Sequence, residues 1–289
     1  MHDNAAGPEN FTLDKFIALS DGPVVLKPSK TPLLIIKYGP PGSGKTSADN
    51  QVEKMFSVDL DNYAKVDKDT PLTSIKSFRD GSIKIIKHHD GLHYHHRAQH
   101  RVQKLQNKTL KAKNKDGLSI NEKVPIILQR AFDYNFNILW ETTCQSQSSQ
   151  DLMAAVFNTV PKIYRIVVIF PIVSLKTARQ RVSQRAAAHL ALQPPYYRPV
   201  PYDRLKQATR ESRKYFMSHI MPKVLDGTIY QLFCYNNTTT QKEEDYDTIT
   251  NKNVQDRKQK HKTRRLAPGW SFGINKSGKR ATLHKPRSE

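Results

Sequence analysis

The chain has 289 residues, 37% of them hydrophobic, and a formal charge of +21 from 47 Lys and Arg against 26 Asp and Glu. That length suits one large or two small domains, and the hydrophobic share lies below the roughly 45% usual for a compact enzyme, so solvated tails are expected. The charge selects partners that carry phosphate, whether nucleotides, nucleic acids or acidic membranes.

Two cysteines, Cys144 and Cys234, are too few for a disulfide framework and wrongly spaced for a zinc knuckle. No basic-then-apolar signal opens the chain and no apolar run approaches the roughly 20 residues of a membrane span. A soluble protein of a reducing, cytoplasmic compartment is expected.

Residues 1–30 read as an N-terminal helical extension, with Phe11, Leu13, Phe16, Ile17 and Leu19 at helical spacing and Gly22 and Pro23 to end it. Leu33-Leu34-Ile35-Ile36-Lys37-Tyr38 is a short apolar run closed by Gly39 and Pro40, which predicts a buried parallel strand. Further strands are predicted at 56–60, 137–140, 164–172 and 228–235, separated by helical patterning at 123–134 and 174–190. Such alternation predicts an α/β domain over 31–240, with a parallel sheet of about five strands between two helical layers. A basic, histidine-rich stretch at 84–115 interrupts it as a helical insert or lid. Residues 241–289 form a basic tail predicted to be disordered: from Asn251 onward twelve Lys and Arg face only Asp256 and Glu289.

The chemistry starts where the first strand ends. Gly39, Pro40, Pro41, Gly42, Ser43, Gly44, Lys45, Thr46 and Ser47 form a glycine-rich loop between a strand and a helix. In such a P-loop, backbone N–H groups wrap phosphate oxygens and the helix dipole adds to the attraction. Lys45 is placed to reach the β and γ phosphates and the Thr46 hydroxyl to ligate Mg²⁺, which implies ATP with magnesium.

In Val58-Asp59-Leu60-Asp61 two acids are expected to close the second strand, where a carboxylate can take the proton of an attacking hydroxyl; the alternative is that Asp61 caps the next helix. Trp140-Glu141-Thr142-Thr143 closes the third strand with an acid and hydroxyls, suited to substrate or magnesium-bound water, or to a plain surface turn. Arg179, Arg181 and Arg185 lie on the following predicted helix and Arg198 after it, as cations for a transferring phosphoryl group or as a solvated basic face. The run at 164–172 ends Phe170-Pro171-Ile172 without a Walker B aspartate, which argues against a motor NTPase.

Over residues 33–204 these motifs together resemble the zeta toxin family of P-loop kinases: the G-x-P-G-S-G-K-T-S loop, an I/V-D-x-D-x-F/Y strand end, an apolar strand closing in E-x-T, and a helical Arg followed by R-x-x-P. The resemblance implies that Lys45 and Thr46 bind ATP and magnesium, Asp61 is the catalytic base, Glu141 and Thr143 contact the acceptor, and Arg181 and Arg198 hold the triphosphate. Asp59 is then structural. The family's best known acceptor is a sugar nucleotide, through the 3′-hydroxyl of UDP-N-acetylglucosamine, and the residues leave open whether an antitoxin-like partner exists. The family's acidic acceptor contact in the preceding helix falls near Pro125, with Glu122 beside it. Two rival readings follow from the charge: a polynucleotide 5′-hydroxyl kinase, and a nucleic-acid-binding protein that uses the P-loop fold as a scaffold.

His89/His93 and His96/His100 are i, i+4 pairs that could chelate a metal, although a weakly basic lid facing phosphate is the preferred reading. The segment Lys258-Gln259-Lys260-His261-Lys262-Thr263-Arg264-Arg265 suits phosphate contacts to nucleic acid, a nuclear import signal, or solubility alone, with Trp270 and Phe272 near it for base stacking. Cys144 is expected to pack rather than react.

Overall fold

The computed structural model describes residues 26–89, 96–113 and 117–238, and short strands at 248–250, 264–265, 271–274 and 281–284. The predicted N-terminal helix and most of the tail cations lie outside the described residues. In chain order the elements are β1 (Leu33–Tyr38), α1 (Asp49–Phe56), β2 (Ala64–Val66), α2 (Asp69–Ser74), α3 (Lys76–Lys87), α4 (His96–Lys111), α5 (Ile120–Asp133) and β3 (Ile138–Thr142). They continue with α6 (Gln147–Thr159), β4 (Arg165–Ile172), α7 (Leu175–Leu190), α8 (Tyr202–Tyr215), a π turn (Phe216–Ile220), α9 (Met221–Leu225), β5 (Gln231–Asn236) and β6 (Thr248–Thr250).

The sheet runs in the order β2-β3-β1-β4-β5-β6, with β6 antiparallel to β5. Parallel neighbours need a crossover, and helices supply one after every strand from β1 to β4. The result is the predicted three-layer α/β P-loop fold with five parallel strands. A separate antiparallel sheet in the tail joins β7 (Arg264–Arg265), β8 (Ser271–Ile274) and β9 (Ala281–His284).

The chain divides into two compact units. In the one built from Thr31–Val58, Glu141–Ala178 and the chain from Lys206 onward, all six residues of β1 are buried, and β1 pairs in register with β4 through Ile35↔Val167 and Ile36↔Val168. This is why the strand reads as an unbroken apolar run: a parallel strand covered on both faces has no solvent side. Tyr38, Phe170 and Phe216 stack at centroid distances of 5.1 and 4.2 Å, and the Tyr38 hydroxyl donates to the Ser212 carbonyl, which ties the strand to α8.

The other unit, Asp59–Trp140 with Arg179–Leu205 and the end of the N-terminal segment, buries Val66, Leu72, Phe78, Val102, Ile127, Ile138 and Trp140. Here one expectation is corrected. Residues 56–60 are not a strand: Phe56 ends α1, Ser57 turns into the left-handed region at φ 52°, and Leu60–Asn62 is a 3-10 turn. Phe56, Val58 and Leu60 alternate as a strand would, but Asp59 accepts the Asp61 N–H at 2.9 Å and closes a turn instead. The strand comes later, at Ala64–Val66, paired in parallel with β3.

Of the basic stretch at 84–115, residues 84–87 belong to α3 and 96–111 to α4, while His88 and His89 form a turn and Lys113 bridges to Ser119. Among the described residues no helix is long and apolar enough to cross a membrane.

Ser82, fully buried on α3, donates to the Arg79 carbonyl at 2.7 Å and accepts the Tyr197 N–H at 3.0 Å. Ser82→Ala removes that acceptor from a buried amide, and the expected cost is about 1–3 kcal/mol, read as a lower urea midpoint with an unchanged slope.

Candidate active site

Local backbone chemistry builds the loop after β1. Gly42 at φ 74° and Gly44 at φ 88° occupy the left-handed region that side chains resist, and Ser43 N–H closes a turn onto the Pro40 carbonyl at 3.2 Å. The end of β5 then grips the loop from behind. Tyr235 Oη donates to the Gly44 carbonyl at 3.0 Å and Asn237 Nδ2 to the Ser43 carbonyl at 2.8 Å, while Asn237 N–H donates to Ile172 at 2.7 Å. In a trans peptide the N–H points opposite to its C=O. With those two carbonyls held toward β5, the amides of Gly44 and Lys45 are aimed the other way, as a phosphate cradle requires.

Around the cradle four charges alternate. Lys45 Nζ donates to the carbonyls of Gly39 at 3.1 Å and Pro40 at 3.3 Å and lies 3.4 Å from Glu141. Lys37 pairs with Asp49 at 3.0 Å and reaches Glu141 at 3.8 Å. Both lysines are buried, and burial raises the Asp49 carboxyl above its usual range while Lys37 pulls it back. The Ser43 hydroxyl is buried without a protein partner, and Thr46 and Ser47 are exposed at the loop's end. Thr143 contributes its carbonyl, which accepts the Ser212 hydroxyl at 3.3 Å. An anionic phosphate chain fits this set: two glycine positions, two oriented amides, an ammonium already desolvated, and exposed hydroxyls at the loop's end.

In the other unit, Asp61 is exposed and bonded to Lys65 at 2.6 Å, a contact that lowers its pKa. It precedes β2 rather than closing it. The acids that follow β2 are Asp67 and Asp69, in Val66-Asp67-Lys68-Asp69, a second copy of the V-D-x-D pattern eight positions after the first. Asp67 takes the N–H groups of Asp69 at 2.7 Å and Thr70 at 3.0 Å and so starts α2; Asp69 forms an ion pair with Arg198.

Arg198 and Arg185 also face His189, whose pKa is pushed down to about 4, chiefly by burial and then by these two cations. Arg181 sits half-buried on α7, and Arg179 stacks over Tyr202 at 5.0 Å. Glu122 is occupied elsewhere: it and Ser119 form a capping box at the start of α5. Sequence reasoning missed Asp67, Asp69, Lys37, Asp49, Tyr235 and Asn237. Only the first two had a visible signal, the repeated V-D-x-D.

No family model and no curated protein matches the sequence. Among solved structures, the chain is similar to one from the PezAT chromosomal toxin–antitoxin system of Streptococcus pneumoniae, at 15% identity and a TM-score of 0.43, over 78% of this chain and 74% of that one. It is similar to a chain of the AvrRxo1-ORF1:ORF2 complex with ATP at 14% identity and a TM-score of 0.43, over 86% of this chain and 66% of that one. Deoxyadenosine kinase from M. mycoides, with bound dCTP, matches at 16% identity and a TM-score of 0.30, over 78% and 98%. The sheet order and the glycine-rich loop after β1 by themselves define the class, a three-layer α/β P-loop fold.

Replacing Lys37 by Met leaves Asp49 with burial and no cation. Its carboxyl moves further up, so the native state holds a proton that the unfolded chain, with an aspartate pKa near 3.9, releases. Stability of Lys37→Met is expected to be highest at acid pH, to fall as pH rises through the raised value, and to lie about 3 kcal/mol below the parent at pH 7, measured by urea unfolding from pH 4 to 8.

Proposed function

We propose that the chain is an ATP-dependent kinase that transfers the γ-phosphate to an alcohol of a small molecule, with a sugar nucleotide such as UDP-N-acetylglucosamine as the first acceptor to test. The observation that carries this reading is the loop after β1, where Tyr235 and Asn237 hold two carbonyls back and Lys45 stands desolvated beside Glu141. Gly39 through Ser47 would hold the triphosphate, with Lys45 as its cation. Thr46 and Glu141 offer oxygens to magnesium, which when bound neutralises charge on the β and γ phosphates. Arg181 and Arg198 are the further cations for the transferring group, and Glu141 and Thr143 the contacts to the acceptor.

In the transfer, the acceptor oxygen bonds to the γ phosphorus, the bond from phosphorus to the β,γ-bridging oxygen breaks with release of ADP, and an aspartate takes the hydroxyl proton. Two aspartates compete for that last role. Asp69 is favoured: it follows the carboxyl end of a parallel strand, where α/β folds gather their ligands, and it is the second aspartate of the V-D-x-D pattern that starts at Val66. Asp61 precedes the strand.

The test is transfer from γ-labelled ATP to UDP-N-acetylglucosamine, other sugar nucleotides and 5′-hydroxyl oligonucleotides. Label is expected in a sugar nucleotide, lost in Lys45→Ala, and reduced by about 10²–10⁴ in Asp69→Asn with ATP binding retained, against a few-fold in Asp61→Asn. The reverse order of the two aspartates would make Asp61 the base. Label in the oligonucleotide would select the polynucleotide kinase that the +21 charge also suits. Bound ATP without transfer to any of these acceptors would overturn the sugar-nucleotide assignment and leave either another acceptor or a nucleic-acid-binding protein on a P-loop scaffold.

A further inference from the structure

The kinase reading leaves unused a cluster at the start of α4. His96 and His100 are one helical turn apart, so their rings share a face, and their Nε2 atoms approach to 3.0 Å with ring centroids 4.2 Å apart. Asp203, in the first turn of α8 and more than a hundred positions along the chain, brings Oδ1 to 3.3 Å from His100 Nε2. All three donor atoms lie within 4.8 Å of one another.

We propose that His96, His100 and Asp203 form a binding site for a zinc-class divalent cation. Zinc bonds of about 2.0–2.1 Å at tetrahedral angles set neighbouring donors about 3.3 Å apart. Two edges of the triangle are therefore already close to that spacing. Each imidazole presents Nε2, which leaves Nδ1 to carry the ring proton in the neutral, ligating tautomer. Two imidazoles and one carboxylate suit zinc and not magnesium or calcium, which demand oxygen throughout. The cluster is partly open, with the Asp203 side chain 58% exposed and that of His100 33%, so an ion can enter and keep water as a fourth ligand. The bound ion ties the start of α4 to the start of α8, two segments that the chain itself joins only through a long excursion.

A His–His–Asp hydrogen-bond chain without metal accounts for the same contacts, and metal titration separates the two. Full-length protein is titrated with Zn²⁺ against a chromogenic chelator, and with Co²⁺ to read its visible absorption. One equivalent is expected to bind with a four-coordinate cobalt spectrum, at an affinity lowered at least tenfold by each of His96→Gln, His100→Gln and Asp203→Asn. The double variant His88→Gln/His89→Gln is expected to bind as the parent does, a needed control in a chain with 11 histidines. Asp203→Asn is the decisive variant, because its exposed side chain can change without unfolding the protein, which a metal-free thermal melt verifies. Failure to bind one equivalent, parental affinity in Asp203→Asn, or a loss that follows His88 and His89 instead would overturn the site.

Discussion

Two hydrogen bonds, from Tyr235 to the Gly44 carbonyl and from Asn237 to the Ser43 carbonyl, set the direction in which the whole loop faces. A glycine-rich loop is cheap to bend and equally cheap to bend wrongly, since Gly42 and Gly44 gain as much freedom in other conformations as in this one. Without a restraint on the carbonyls, the amides of a loop that must present N–H groups to phosphate would turn either way. The end of β5 supplies that restraint. Asn237 is itself fully buried and fixed through its own N–H to the last residue of β4, so the restraint is as rigid as the sheet.

The same preorganisation shows in the charges. Taking an ammonium out of water costs several kcal/mol unless partners replace the hydration. Lys45 is offered two carbonyls and Glu141, and Lys37 is offered Asp49, so neither cation is left uncompensated. Glu141 stands between both lysines, at 3.4 and 3.8 Å, and its charge is shared. A phosphate arriving at the loop meets an ammonium whose desolvation the fold has already borne, which is the condition under which electrostatic stabilisation is largest.

Much of this was legible from composition and order, and the part that was not has a physical cause. β1, β4 and β5 were recognisable because parallel strands buried on both faces are continuous apolar runs, and the loop after β1 because only glycine tolerates its angles. The segment between α1 and β2 misled for a definite reason: Phe56, Val58 and Leu60 alternate like a strand, and nothing in the residues announced that Ser57 would turn left-handed. That misplaced strand drew attention to Asp59 and Asp61 and away from Asp67 and Asp69, although the pattern occurs twice. Partners distant in the chain were beyond reach altogether. Lys37 reads as an oddity in an apolar strand until Asp49 appears beside it, and Asn237 lies nearly two hundred positions from the loop it orients.

The distribution of charge separates two tasks. At the sites described, cations come matched: Lys37 with Asp49, Lys45 with Glu141, Lys65 with Asp61, Arg198 with Asp69. Matching of this kind keeps a site oriented and its pKa values apart, but it adds nothing to long-range attraction, because paired charges cancel beyond a Debye length of about 8–10 Å. The excess of +21 must therefore act elsewhere, and twelve of the cations fall after Asn251 against two acids. Matched charges that hold a site's geometry and a sequence segment with a net excess of cations therefore answer to salt differently: the pairs act at contact distance, whereas long-range attraction from a net charge is screened as ionic strength rises.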